Sequence, residues 1–284
     1  MATIRGEHSM STTQTSPDLA AITARQQKTW SSGNFARIAS RIVLSSELLA
    51  DAADLRAGWH VLDVASGTGN AAIAAARSGA RVIGTDYVPE LLQDAGSRAR
   101  AEGLDVEFRV ADAQHLPFAD DSFDAVLSVF GSMFAPDHRR TAAEMVRVTR
   151  PAGTIGLASW TPDGFIGDMF RVISAHVPPP AGVASPLLWG TREHLNDLFG
   201  GAIGKAESVE QTCTFRFTSA EDFVVFFRRW YGPTLKAFEA LDEAGRDQLA
   251  AELADLARRW DRYRGAESAV ALPSTYLQTV ITLR

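Results

Sequence analysis

The rhythm of apolar and polar positions changes at Trp59. From there, short apolar runs alternate with helix-period stretches. His60-Val61-Leu62-Asp63-Val64 reads as a compact strand, Gly67-Thr68-Gly69-Asn70 as a turn, and Ala71 to Arg77 as an alanine-rich helix. Arg81 to Gly84 is a second strand, Val106 to Val110 an alternating third, Phe123 to Val129 a fourth and Thr154 to Ala158 a fifth. Pro89 opens one intervening helix, where its missing N–H costs nothing. Another helix runs from Pro136 to Thr149 and is stopped by Pro151-Ala152-Gly153. This spacing predicts βαβ units and a parallel sheet. Right-handed crossovers then collect the strand C-terminal ends on one edge, where ligands of α/β sheets bind.

The flanks differ. Residues 17–54 read as helical, with Phe35, Ile38, Ile42 and Leu49 near one face and a break at Ser31-Ser32-Gly33-Asn34. After Trp160, helices are expected over Phe165 to Val177 and Thr191 to Phe199, separated by Pro178-Pro179-Pro180. Ser208 to Thr218 and Tyr276 to Leu283 alternate as late strands around a helical block from Ala220 to Tyr263. An insertion of roughly 45 residues is long enough to carry function rather than mere connection. Residues 1–16 are polar and read as a disordered tail. Residues 17–284 then form one domain: N-terminal helices (17–54), a core (59–160) and a second half (161–284).

Composition narrows the classes. The 284 residues carry a formal charge of −6, which argues against a general nucleic-acid binder. The single cysteine, Cys213, excludes an internal disulfide and a cysteine-rich zinc site, and it reads as a small buried strand residue. The histidines show no metal-ligand spacing, so no metal is expected. No apolar run approaches the about 20 residues of a membrane span, and the N-terminus has no secretory h-region. The expected setting is the reducing cytoplasm.

The candidate chemistry gathers at the strand ends. Gly67-x-Gly69-x-x-Ala72, after a strand and at a helix start, offers backbone N–H groups to a ligand. It fits a dinucleotide fingerprint, and a nicotinamide-dependent oxidoreductase is the alternative it leaves open. Asp63 lies before the turn. A carboxylate there would crowd a pyrophosphate and suit an ammonium group, or it caps the turn locally. Asp86 ends the second strand at the distance expected for a carboxylate accepting from ribose hydroxyls. Asp112 follows the third strand and suits an adenine amine.

Asp63-Val64-Ala65-Ser66-Gly67-Thr68-Gly69, Asp86 and Asp112-Ala113 resemble the cofactor motifs of class I S-adenosylmethionine (SAM)-dependent methyltransferases. Leu116-Pro117-Phe118, Ser122-Phe123-Asp124-Ala125-Val126 and Arg147-Val148-Thr149-Arg150-Pro151-Ala152-Gly153 strengthen the likeness. The nearest branch is the ubiquinone/menaquinone-biosynthesis-like one (methyltransferase type 11), which acts on small molecules. The chain departs from it at Ala65, where relatives usually have glycine, and at Ala152. The resemblance implies a Rossmann-like α/β fold: a seven-stranded, mostly parallel sheet with the last strand antiparallel. N-terminal helices precede that sheet, and the helical insertion lies between its last two strands. It implies SAM as cofactor. Asp63 and the Ala65, Ser66, Gly67 and Gly69 backbone would hold the methionine part, Asp86 the ribose, and Asp112 with Ala113 the adenine. Tyr87 and Val88 would pack on the adenine, Ser128 would stand at the fourth strand end, and Trp30, Gly33 and Phe35 would fold over the cofactor.

Methyl transfer needs alignment and exclusion of water, and a base only for a protonated acceptor. The acceptor wall would be apolar and aromatic: Phe130, Met133, Phe134, Trp160 and Phe165, with Phe170 and Trp189 nearby. That suggests a small hydrophobic or aromatic acceptor. Gly131-Ser132-Met133-Phe134 is not the Asn/Asp-Pro-Pro-Tyr motif of nucleobase and amide methyltransferases. His138 and His194 are the candidate bases. Arg228-Arg229-Trp230 and Arg258-Arg259-Trp260 read as surface faces or homodimer contacts. A SAM-binding protein without catalysis is the remaining alternative.

Overall fold

The computed structural model describes residues 18–264 and 268–284; the predicted N-terminal tail lies outside the described residues. The sheet contains β1 (His60–Val64), β2 (Arg81–Asp86), β3 (Val106–Val110), β4 (Phe123–Val129), β5 (Thr149–Trp160), β6 (Ile203–Phe217) and β7 (Val270–Leu283). Their order is β3-β2-β1-β4-β5-β7-β6. β1 to β5 pair in parallel, and β7 runs antiparallel to both its neighbours, β5 and β6. The seven-stranded, mostly parallel sheet is the architecture expected from the motifs. Strand order reverses between β1 and β4, and a crevice opens at such a switch point, beyond the strand C-termini.

Before the sheet come α1 (Leu19–Trp30), α2 (Phe35–Ala39) and α3 (Val43–Ala52). Asp18 caps α1 by accepting from the Ala21 N–H at 3.0 Å. Within the core lie α4 (Asn70–Arg77), α5 (Pro89–Ala101) and α6 (His138–Val148). Beyond it come α7 (Phe165–His176), α8 (Arg192–Phe199), α9 (Ala220–Trp230), α10 (Gly232–Glu239) and α11 (Glu243–Trp260). Gly156 of β5 leaves room for α3 to settle on the sheet: a side chain there would run into Leu127 and Leu49.

Several boundaries differ from the sequence reading. The single helical block is three helices, α9 to α11, because Tyr231 is extended and Pro233 restarts the chain. β6 begins at Ile203 and β7 at Val270, since the two pair as one long antiparallel ribbon whose polar outer positions hide the pattern. β5 begins at Thr149, although Pro151-Ala152-Gly153 reads as a breaker. The register slips there, from Phe123↔Thr149 to Ala125↔Thr154, so the breaker forms a bulge and not an end. Cys213 is half-buried on β6, its Sγ 3.6 Å from the Arg41 carbonyl oxygen. Burial raises its thiol pKa, which makes it a poor nucleophile.

The insertion is packed through one stripe of α9. Ala220, Phe223, Val224 and Phe227 are buried at helical spacing. Its far end is tied to the N-terminal helices. Asn34 N–H donates to the Trp230 carbonyl at 3.0 Å, and Gly33 bridges Tyr231. A Cβ on Gly33 would lie 2.5 Å from the Trp230 carbonyl oxygen, at a φ of +73°, so glycine is required there. The basic-aromatic pairs mostly contact this same chain. Arg228 lies over Phe238, and Arg258 pairs with Glu221 and Asp255. Among the described residues no helix is long and apolar enough to cross a membrane.

Candidate active site

The turn after β1 is built from left-handed backbone. Ala65 (φ +54°), Gly67 (+54°) and Gly69 (+82°) all occupy that region, and Gly69 caps α4. Ala65 therefore keeps the glycine conformation with a side chain attached, at a cost of about 1 kcal/mol. Its methyl dictates the facing residue: a Cβ on Gly131 would lie 2.7 Å from the Ala65 Cβ and 2.4 Å from its carbonyl oxygen. Ala152, the second departure from the family pattern, also has a positive φ, +58°.

Three acids stand at successive strand ends and line one cleft of about 910 Å³, counted out to its mouth. Asp63 is 1 % exposed, and its Oδ2 accepts from the Ala72 N–H at 2.8 Å. Its Oδ1 is buried without a partner among the described residues. Burial pushes its carboxyl up to about 8, the Ala72 bond opposing and the Asp86 charge adding. Asp86 accepts from the Gly67 N–H and the Val88 N–H, each at 2.9 Å. Burial raises it to about 6, against those N–H bonds. A carboxylate has about four lone-pair sites, so roughly two stay free for a ligand. Asp112 accepts from the Gln114 N–H at 2.9 Å and from its side-chain amide.

The cleft takes in Trp30, Phe35, Asp63, Ala65, Ser66, Gly67, Asp86, Tyr87, Asp112 and Ala113 of the residues read as cofactor-binding. Gly69, Val88 and Ser128 do not line it. Val88 is fully buried and holds Asp86 through its N–H. Ser128 donates to the Val64 carbonyl at 2.8 Å and accepts from the Ser132 N–H at 3.0 Å, so its hydroxyl braces the β1–β4 junction. Sequence reading missed Ser46, Thr23 and Gln114. Ser46 is fully buried on α3 and lines the cleft, its Oγ without a partner among the described residues. Gln114 donates to Thr23 Oγ1 at 3.1 Å and accepts from the Asp137 N–H at 3.2 Å, joining α1, the β3 end and the start of α6. Gln27 pins α1 further, donating to the Tyr87 carbonyl at 2.5 Å. A polar residue at Ser46's position carries no motif, and only its burial in a helix face reveals it.

A second, apolar chamber of about 360 Å³, counted out to its mouth, shares Trp30, Phe35, Ile42, Phe130 and Phe134 with the cleft. Trp160 lines this chamber, stacked on Phe130 with ring centroids 3.8 Å apart and planes 3° from parallel. Of the other residues read as acceptor wall, Met133 and Phe165 line neither space. Phe165 is fully buried against Phe223 and Trp260, as core. His138 and His194 line neither space either. They meet each other, Nδ1 to Nε2, at 2.9 Å beside Trp189. The pair therefore packs behind the α6 start.

Comparison with known proteins agrees with this geometry. One family, described as a methyltransferase domain, matches residues 62–157. An uncharacterized protein of Mycobacterium tuberculosis is 40% identical over 235 residues, covering 82% of this chain and 85% of that one. Demethylmenaquinone methyltransferase of Thermus thermophilus is 37% identical over 164 residues, 52% of this chain and 74% of that enzyme. The crystal structure of a putative methyltransferase from Bacillus halodurans superposes with a TM-score of 0.59 at 17% identity, covering 84% and 97% of the two chains. An α/β sheet with acids at three strand ends defines a nucleoside-binding enzyme. The chain belongs to the class I SAM-dependent methyltransferases, on the quinone-biosynthesis-like branch. Its cofactor is SAM, which sets aside the nicotinamide reading of the glycine turn.

Proposed function

We propose that this methyltransferase acts on a small, hydrophobic, aromatic acceptor seated in the chamber beside the cofactor cleft. The observation carrying this is the shared wall: Phe130 and Phe134 border both spaces, so a ligand in one touches a ligand in the other. Among the described residues, no Asp, Glu, Lys, Arg or His lines the chamber. A charged acceptor group would lose its hydration there without compensation, whereas an aromatic ring gains stacking surface.

The residues of the cleft fit SAM. Of the six buried polar side-chain atoms that lack partners among the described residues, three belong to residues lining the cleft: Asp63 Oδ1, Ser46 Oγ and Ser66 Oγ. A ligand end bearing an ammonium and a carboxylate satisfies them. Asp86 would take the ribose hydroxyls, and Asp112 with the Ala113 backbone the adenine. When bound, SAM supplies an activated sulfonium methyl. The chain's part is to hold the acceptor in line, exclude water with α1 and the Trp30–Phe35 strap, and avoid trapping charge.

Turnover to S-adenosylhomocysteine with a panel of acceptors tests this. Uncharged phenols and naphthols are expected to be methylated. Methylation only of peptides, nucleic acids or charged amines would overturn it. A second expectation concerns protons. With Asp63 raised to about 8, it is mostly protonated in the free protein at pH 7, and an ammonium partner favours the carboxylate. Binding of S-adenosylhomocysteine at pH 7 should therefore release about one proton, the differential protonation that linkage requires. Calorimetry in buffers of different ionisation enthalpy reads this, and Asp63→Asn should abolish it.

A further inference from the structure

Tyr231 joins α9 to α10 and lines the chamber, where it is the only hydroxyl-bearing residue among the described residues. The other polar side-chain groups there are the indole N–H groups of Trp30 and Trp160. Every polar side-chain group of the chamber is thus a neutral donor or, for the phenol, a donor first. Tyr231 is 6 % exposed, and no hydrogen bond of its hydroxyl is formed among the described residues. A phenol left free beside an apolar chamber can donate to an oxygen on a ligand seated there.

The ring is held from both sides. Trp30 packs edge-on against it at 5.6 Å between centroids, and Phe227 does so at 5.6 Å. The backbone is fixed too. Tyr231 N–H donates to the Phe227 carbonyl at 3.0 Å, Gly33 bridges Tyr231, and a Cβ on Gly232 would lie 2.2 Å from the Thr29 carbonyl oxygen. The Tyr231 ring is therefore placed by interlocked backbone and aromatic packing. Burial raises the Tyr231 pKa, which keeps the phenol protonated as a donor and unfit as a base.

We propose that Tyr231 is the specificity residue of the acceptor chamber, donating a hydrogen bond to a neutral oxygen substituent on an aromatic acceptor. The proposal rests on the chamber being the acceptor site, as argued above. It assigns to the insertion a task apart from that of Asp63, Asp86 and Asp112, which line the cleft. It also narrows the acceptor from any apolar ring to one carrying an uncharged oxygen. A site built to hydrogen-bond such an oxygen rejects the analogue lacking it, since its own donor is then left unpaired.

The test uses the full-length protein saturated with S-adenosylhomocysteine and two probes, 2-naphthol and naphthalene, followed by their fluorescence. Wild type is expected to bind 2-naphthol about tenfold tighter than naphthalene, the ratio one good hydrogen bond gives. Tyr231→Phe keeps the ring and should reduce that ratio to about twofold or less, with naphthalene affinity unchanged. A ratio that survives in Tyr231→Phe overturns the proposal, as does equal binding of the two probes by wild type. Loss of naphthalene binding together with the ratio would make Tyr231 a packing residue only, and that too overturns it. Wild type that binds S-adenosylhomocysteine but neither probe removes the chamber as acceptor site. Wild type that fails to bind S-adenosylhomocysteine breaks the underlying functional reading instead.

Discussion

Asp86→Ala is expected to weaken S-adenosylhomocysteine binding by about 100-fold, and to lower the melting temperature as well. The first effect follows from losing charge-assisted bonds to two hydroxyls, each of which contributes about 1.5 kcal/mol or more. The second comes from the turn. Asp86 accepts from the Gly67 and Val88 N–H groups, so its removal leaves two buried donors without their acceptor. Each such donor costs about 1–3 kcal/mol unless water replaces the carboxylate. From sequence, Asp86 reads as a carboxylate accepting from ribose hydroxyls. The geometry adds a second role, support of the glycine turn through the Gly67 and Val88 N–H groups. Asp86→Asn separates the two roles, because an amide oxygen still accepts from one N–H but carries no charge. It should keep most of the stability and still lose affinity. Calorimetry and thermal melts on both variants read this directly, and Asp86→Ala affinity within about threefold of wild type would take Asp86 out of the site.

Acid should destabilise the protein through the histidine pair. Burial, then the neighbouring His194, pushes His138 down from 6.5 to about 4, with Asp137 opposing. His194 is lowered too, chiefly by burial, with Asp197 opposing and Arg139 adding. At 2.9 Å one ring must donate and the other accept, so the contact survives only while at least one ring is neutral. The sign follows from linkage. The folded-state pKa is depressed, so between 6.5 and 4 the unfolded chain binds more protons than the folded one. The contribution is present in full above 6.5 and is lost as pH falls through the folded value. A shift of this size corresponds to about 3 kcal/mol for His138 alone. Urea unfolding at several pH values should show a steeper loss between pH 6.5 and 4 in wild type than in His138→Gln. Parallel curves would mean that the pair does not titrate as its burial demands. This experiment also addresses the pair's role, since a catalytic base would govern the rate profile rather than the unfolding curve.

Much of the cofactor side was legible because its requirements are local. A tight turn between a strand and a helix needs left-handed backbone, and Gly67-Thr68-Gly69 announces it. Parallel strands deliver their last residues to one edge, so Asp63, Asp86 and Asp112 could be placed together from chain order alone. Leu116-Pro117-Phe118 was recognisable as a motif, but its reason is tertiary. The buried Glu144 accepts from the Leu116 N–H at 2.8 Å, and Arg147 donates to the Leu116 and Phe118 carbonyls. The acceptor side was much less legible. Phe130 and Phe165 look alike in sequence, yet one borders both spaces and the other fills the core behind them. The two histidines were read as bases because each opens or nearly opens a helix on the ligand edge. Which way their rings turn depends on α8 and on Trp189, elements with no periodic link to α6.

Sequence by itself determined the class of sheet, the glycine turn after β1 and the acids at three strand ends, because each is imposed by residues close in the chain. Only the tertiary structure decided that Ser46 faces the cleft, that Ser128 and the histidines do not, and that Tyr231 stands in the neighbouring chamber. These depend on how α1 to α3 and the insertion close over the sheet edge. That closure is fixed by backbone contacts at Gly33 and Gly232 between segments about two hundred residues apart, where excluded volume and not local preference selects the arrangement.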